Sequence, residues 1–396
     1  MIWDSNISPE GTEEAVREIE TVIKIRKVEN EKDRMEFIRF PWEIYKGDPY
    51  WVPPLIFDVR KNLDPNKNPF FKHAEVQLFL AEKDGKLAGR IAAIKNDNHT
   101  DFHKDNAGFF GFFECIDDED VSDLLFDTAC EWVKSKGLTN ILGPVNPSTN
   151  DECGLLVDGF DSSPVFLMTY NPKRYIKMIE NFGFEKAKDL YAYYIPASVI
   201  NDTKMMAKLE RMSDLIKKRS DITTHNLNMK DLKNEVRRIE EIYNSAWESN
   251  WGFVPITTAE FDYLAESLKM VVDPDLVMFA EVAGKPAGFS LALPDFNQVL
   301  KKMNGRLLPF GFLKILTQKK KIDFLRVIIM GVKPEYQKKA IDSVFYLEVI
   351  KNGNKNGYTG AEISWVLEDN MPMRMTAEKL GAHIYKTYRI YRKDLI

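Results

Sequence analysis

The sequence predicts an α+β protein made of two tandem domains of one three-layer αβα fold. Three observations carry this. The chain has 396 residues, which suits two or three domains at roughly 100 to 200 residues each. Segments from the two halves match at one spacing: AEKDGKLAG from Ala81 and AEVAGKPAG from Ala280 lie 199 residues apart, as do Asn171 and Asn370, and ENFG at Glu180 and EKLG at Glu378 lie 198 apart. Each half also repeats one order of strands and helices. A spacing of about half the chain favours duplication of a domain over a solenoid, whose repeats are far shorter.

In the first half, alternation of β-formers predicts a strand at Val22–Arg26 and a 3.6-residue period predicts a helix over Lys32–Tyr45. Pro53-Pro54 and Asp64-Pro65 then break any helix. QLFLAEKDGKLAGRIAAI reads as a hairpin about an Asp-Gly turn, followed by a strand at Gly108–Glu114, a helix over Val121–Lys136 stopped by Gly137, and a strand ILGPV. The second half repeats the series: strand Ile222–Asn226, helix Lys230–Trp247, hairpin LVMFAEVAGKPAGFSLAL, buried strand FLRVIIMGV, helix Gln337–Lys351, strand AEISWVL and a closing strand HIYKTYRIYRK. The expected division is residues 1–195, a helical connector at 196–220 rich in Lys and Met, and residues 221–396.

Composition narrows the function. Net charge is −5, with 55 basic and 60 acidic side chains, against the basic surface that sequence-independent nucleic-acid binding needs. Three cysteines without CxxC spacing exclude a disulfide framework and a thiolate zinc site. His99 and His103 have i, i+4 spacing but no clear third ligand, so no metal is expected. The polar opening and the absence of an apolar run near ~18 residues point to the cytoplasm.

Chemistry concentrates in RVIIMGVKPEYQKKAIDSVFYLEVIKNG. A buried strand ends at Gly331-Val332 and a helix start carries Gln337, Lys338, Lys339, Ala340 and Ile341. Unpaired amides, the helix dipole and two lysines suit an anion such as a phosphate. This pattern resembles the donor loop of the GNAT acyltransferase superfamily, V-x-P-x-x-[QR]-x-x-G-x-[GA], at Val332, Pro334 and Gln337, with Ala340 and Asp342 at the two small positions. The resemblance implies acyl-CoA or an acyl carrier protein thioester as donor, bound at Gly331–Ile341 and at Asn370, where the helix after the fifth strand begins. The first half has acidic FFGFFECIDDED at the equivalent place and is expected to be a degenerate copy shaping the groove. FFGFFECIDDED, GPVNPSTNDECGLLVDGFD, NSAWESNWGFVP and ALPDFNQVL further resemble the bacterial double-GNAT family that includes ceramide synthases.

Amide formation needs a base for the amine. The candidates are Glu362, Glu368, Asp295 and Glu114, of which Glu362 is preferred, with Ser364 on the same strand. The superfamily's usual tyrosine acid is replaced by Ala377, leaving Tyr385 or Tyr388 as substitutes. An acceptor site is expected from Asn244, Trp247, Asn250, Trp251 and Phe253, together with Asp295 and Asn297, although aromatics at such spacing also pack as a core. Asn146, Ser148, Asn150, Asp158 and Asp161 suit turns as well as ligands. Residues 306–321 combine apolar bulk with a Lys cluster and suit either a membrane surface or a packed insertion. The implied reaction is transfer of a long-chain acyl group to a sphingoid or other lipid-like amine. Fem-type aminoacyl transfer and a non-catalytic binding role are the alternatives.

Overall fold

The computed structural model describes residues 22–248, 250–307 and 311–395. The first half contributes β1 (Ile23–Lys27), α1 (Glu31–Arg39), α2 (Pro41–Ile44), α3 (Ile56–Asn62), β2 (Ala74–Lys83), β3 (Lys86–Asn96), α4 (Asp97–His103), β4 (Ala107–Cys115), α5 (Glu119–Ser135) and β5 (Asn140–Gly143). Short strands β6 (Val145–Asn146), β7 (Glu152–Cys153) and β8 (Leu155–Asp158) precede α6 (Tyr175–Asn181) and the long β9 (Glu185–Ile195). Helices α7 (Ala197–Ile200) and α8 (Thr203–Ser220) lead to β10 (Ile222–Asn226), α9 (Leu232–Ala246), α10 (Thr258–Leu268), β11 (Val277–Val282) and β12 (Lys285–Pro294). The chain ends with α11 (Asn297–Leu300), α12 (Gly311–Gln318), β13 (Phe324–Val332), α13 (Ile341–Lys355), β14 (Gly360–Leu367), α14 (Met371–Lys379) and β15 (His383–Asp394).

The predicted strands and helices lie within a few residues of these bounds, and three differences have local causes. The helix expected over Lys32–Tyr45 is split at Pro41, which has no N–H to continue the ladder. The helix expected from Gln337 begins at Ile341: Pro334–Lys339 is a 3₁₀ turn, and Ala340 adopts a left-handed conformation at φ +55°. That conformation is costly for a residue with a Cβ, which is why glycine is usual there. The ILGPV strand stops at Gly143, before Pro144.

The largest difference concerns the sheets. Two sheets sharing a groove are expected; one continuous sheet of thirteen strands runs through both halves, in the order β1-β2-β3-β4-β5-β15-β9-β14-β13-β12-β11-β10, with β8 beside β15. The last strand of each half completes the other: β9 pairs with β14, and β15 with β5. The two exchanged strands then pair with each other along most of their length, locked by Arg389 on Asp189 at 2.8 Å. The exchange leaves neither half with an open inner edge, the feature that invites mispairing.

Helices cover both faces. On α5, Val121, Leu125, Phe126, Ala129 and Val133 form the buried stripe of an amphipathic helix, and with α6 they pack on one face of the first half, while α1 and α3 cover the other. In the second half α8, α13 and α14 lie on one face and α9 and α10 on the other. Among the described residues no helix is long and apolar enough to cross a membrane.

A candidate acyl-transfer site at a forked pair of strands

β13 and β14 run parallel and are paired from Phe324↔Gly360 only as far as Val327↔Ile363. Beyond that point β14 stays with β9, while β13 continues along β12 to Val332. The strands therefore fork, and Ile328–Val332 has no β14 partner. A bulge sits at the fork: Ile329 pairs with Leu291 and Val327 with Ala292, so Ile328 is the extra residue on β13.

The same two strands form a fork in the first half, but there the protein fills it. β4 and β5 pair only to Phe109↔Leu142, and the Asn146 side chain then accepts from the Phe112 amide at 2.7 Å. At the following helix, Asp118 caps α5 by accepting from Val121 N–H and also binds Lys83. This copy holds its own carboxylate where an anion would bind. In the second copy Asp342 also stands in the first turn, but no side chain caps the start of α13, and Lys338 and Lys339 have no ion-pair partner among the described residues. Lys333 is spent on Glu241, 2.5 Å away.

Just before the fork, strand alternation sends Leu325, Val327, Ala361 and Ile363 into the core under α13 and Arg326, Glu362 and Ser364 to the opposite face. There they form a buried polar cluster. Glu362 is fully buried and accepts from Ser364 Oγ and from Tyr385 Oη. Arg326 Nε donates to Ser364 Oγ at 2.8 Å and lies 3.9 Å from Glu362. Burial pushes the Glu362 carboxyl above its ordinary range, opposed by the Arg326 charge and the two hydroxyls. Burial raises the Tyr385 phenol, and the Glu362 carboxylate adds to this. Two buried donors in this region, the Tyr388 hydroxyl and the Trp365 indole N–H, have no hydrogen-bond partner among the described residues, an expensive arrangement unless something polar meets them.

The roof over the cluster comes from the first half, in the segment Gly159–Met168. Its backbone is held by second-half side chains: Lys386 on the carbonyls of Gly159 and Ser162, Asn297 on Pro164 O at 2.8 Å, and Arg326 on Phe166 O and Leu167 O at 3.0 and 2.7 Å. Asp295 accepts from Phe166 N–H at 2.9 Å.

No family model matches the chain. It is 38% identical over 382 residues to bacterial ceramide synthase of Caulobacter vibrioides, spanning 94% of this chain and 98% of that protein. The chain belongs to the tandem GNAT family of N-acyltransferases that includes that protein. Protein YghO of Escherichia coli K12 is 35% identical over 377 residues, 94% of this chain and 95% of its own. A tandem GNAT protein from the clavulanic acid biosynthesis pathway shares the fold with a TM-score of 0.55 at 11% identity, over 95% of this chain and 99% of its own.

Within this GNAT framework the residues expected from sequence divide into three groups. Gly331, Val332, Gln337, Lys338, Lys339, Ala340 and Ile341 surround the open end of the fork, and Glu362, Ser364 and Tyr385 meet beside its closed end. The remaining residues are largely used by the protein itself. Asn244 bonds the Ile256 backbone with both ends of its amide at 3.2 Å and so closes a loop. Trp247 stacks on Tyr243 at 5.0 Å, and a Cβ on Gly331 would come within 1.9 Å of its ring; glycine is needed there for the indole to lie against the strand. Phe253 is buried against Phe102, with its carbonyl held by His103. Asn150, on the opposing loop, bridges Val254 O and the Tyr243 hydroxyl. The aromatic cluster expected to receive the acceptor is thus a seam between the halves, in which Phe253 is buried while Asn244, Trp247, Asn250 and Trp251 stay half-exposed. Asn370 caps α14 by accepting from Met373 N–H at 3.2 Å, which commits its side-chain oxygen to the start of that helix. Asp295 and Asn297 clamp the roof segment.

The other candidate bases separate from the site. Glu368 is tied to Lys186 and to Asp189 N–H. Glu114 is buried in the first half between Tyr45, Tyr175 and Arg90. Arg326 and Lys386 escaped notice in the sequence. Their only signal was a basic residue inside an otherwise apolar or aromatic strand.

Burial lifts both Asp295 and Glu114 to about 7. A carboxyl raised in the native state keeps a proton that the unfolded chain releases, so its contribution is full below about pH 4 and lost as pH rises through 7. Stability should therefore fall between pH 5 and pH 8. Each group contributes on the order of 1 kcal/mol or more. Denaturant unfolding at the two pH values checks this, and the difference should shrink in Asp295→Asn and in Glu114→Gln.

Proposed function

We propose that the chain transfers a long-chain acyl group from a phosphopantetheine thioester, carried on CoA or on an acyl carrier protein, to the primary amine of a sphingoid or similar lipid-like acceptor. The observation that carries this reading is the unpartnered edge of β13 beyond Val327, next to the Glu362–Tyr385 pair. The edge suits pairing with the amides of the pantetheine arm as an added strand, which brings the sulfur to the fork. The uncapped start of α13 with Lys338 and Lys339 suits the phosphate end.

In the reaction, the acceptor nitrogen attacks the thioester carbonyl, a C–N bond forms, and the C–S bond then breaks to release the thiolate. Glu362 is too buried to meet the amine itself. Tyr385, half-exposed and donating to Glu362, takes the amine proton on its oxygen while passing its own to the carboxylate. The reverse movement delivers the proton to the departing sulfur, and no acyl-enzyme is formed. The backbone amide of Ile328, the bulged residue, is the nearest candidate to hold the oxyanion.

A lipid-like acceptor is supported by the ceramide synthase relative and by a surface feature. Leu313 on α12 and Met270 are each 54% exposed, and Lys319 bonds Met270 O at 2.9 Å. Apolar side chains beside the Lys319–Lys321 cluster suit contact with an anionic bilayer; residues 308–310 of this insertion lie outside the described residues.

Purified protein given sphinganine with hexadecanoyl-CoA, or with hexadecanoyl-acyl carrier protein, should yield the N-acyl amide by mass spectrometry. No product with either donor would refute the proposal and leave a binding role. Lys338→Ala/Lys339→Ala should raise KM for the CoA donor about tenfold with kcat little changed, and should reduce the salt sensitivity of binding.

A further inference from the structure

We infer that the fatty chain of the donor lies in a crevice on the opposite face of the sheet from Glu362, between α13 and the paired part of β13 and β14, and that Gly353 sets how long a chain fits. The inference rests on the acyl-transfer reading of the fork. The crevice is lined by apolar side chains, among them Val327, Met330, Ile350, Ile363 and Leu380, with Gly353 in its wall. Met330 lies beyond the last β13–β14 pair and Val327 within it, so the crevice reaches the fork, where the thioester carbon would sit. From there it follows α13 back beneath the closed ladder toward Gly353, passing from Met330 to Leu325, about 16 Å along the strand.

Strand parity provides the division of labour. Alternate residues of the same two strands present carbon to one face and Arg326, Glu362 and Ser364 to the other, so a thioester at the fork has an apolar channel on one side and proton-handling groups on the other. The bulge at Ile328 shifts the alternation, which is how Met330 joins Val327 on the crevice side.

The crevice encloses only about 30 Å³, so a fatty chain must widen it. Met330 is suited to that, being unbranched and able to change rotamer in a core, and it is only partly buried. Gly353 has an ordinary φ and nothing in the fold demands glycine: a Cβ there would rest 3.4 Å from Leu325, and longer side chains would project into the channel. Glycine inside a helix is otherwise unfavourable, so its presence at the channel wall calls for a reason such as room for a ligand.

The test is a series, Gly353→Ala, Gly353→Val and Gly353→Leu, each titrated with butanoyl-, octanoyl- and hexadecanoyl-CoA, or with the same chains on acyl carrier protein, alongside thermal unfolding to confirm folding. The wild type should bind the hexadecanoyl donor at least tenfold more tightly than the butanoyl donor. The ratio should collapse stepwise through the series, at least tenfold in the leucine variant, with the optimum moving to shorter chains. Gly353→Ala, which fits with ordinary contact, keeps the series readable if the larger variants do not fold. A ratio unchanged in Gly353→Val, or affinity lost equally for every chain length, would overturn the placement while leaving acyl transfer intact. A wild type that binds neither kind of donor would overturn the transfer reading itself.

Discussion

Glu362→Gln should lower kcat by roughly 10²- to 10⁴-fold, the range for loss of a positioned general base, while the protein remains folded and still binds its donor. Glutamine keeps the shape and still accepts from one of the two hydroxyls, Ser364 Oγ or Tyr385 Oη, but it has no place for a transferred proton. Tyr385→Phe removes the relay from the other side and should be slowed to a similar extent. Because the two groups act as one path, the double variant should be little worse than either alone, the non-additivity expected of residues that work as a unit. The pH profile carries further information. Burial holds the Glu362 carboxyl above the ordinary carboxylate range, and a base must be ionised to act, so kcat/KM should rise with pH on a limb lying above that range. The limb should be absent from whatever activity Glu362→Gln retains. An unchanged kcat in Glu362→Gln would reduce the cluster to a structural role.

The largest effect on stability is expected at Arg326. Its guanidinium is nearly fully buried and joins Ser364, Glu362 and the carbonyls of Phe166 and Leu167. Arg326→Met leaves a buried carboxylate unpaired and two carbonyls without their donor, which should cost about 3–5 kcal/mol of unfolding free energy. Replacing both charges, as in Arg326→Met/Glu362→Leu, should recover much of the loss, since a buried ion pair exchanged for apolar side chains is often neutral. That double variant would be stable yet inactive, and would separate support of the fold from participation in the chemistry. Denaturant melts of the three proteins measure the first and product formation the second.

Most of the strand and helix order was legible because local patterns decide it. The two hairpins carry turn chemistry at Asp84-Gly85 and Ala283-Gly284, and FLRVIIMGV is a β-former run that could hardly fold otherwise. The donor loop was legible for the same reason, as Val332, Pro334 and Gln337 are close in sequence. The strand exchange was not legible, because β9 and β15 look alike as strands whichever half they join, and the choice between partners is made by long-range packing. Nor could sequence spacing tell that the Asn244–Phe253 aromatics pack against the loop containing Asn150: a satisfied seam and an open pocket use the same residue types. Glu362, Ser364 and Tyr385 were chosen on chemistry, and it is the exchange of β15 into the centre of the sheet that brings the tyrosine to the carboxylate. Arg326 was invisible as a partner because its register opposite Glu362 depends on the parallel pairing of two strands separated by a helix.

The most direct measurement is a crystal structure with a non-hydrolysable hexadecanoyl-CoA thioether. The account predicts the pantetheine arm paired along Ile328–Val332, the sulfur at the end of the Val327↔Ile363 ladder within reach of Tyr385, and the alkyl chain descending beneath α13 toward Gly353. An arm bound elsewhere, with β13 and β14 joined along their full length, would contradict it.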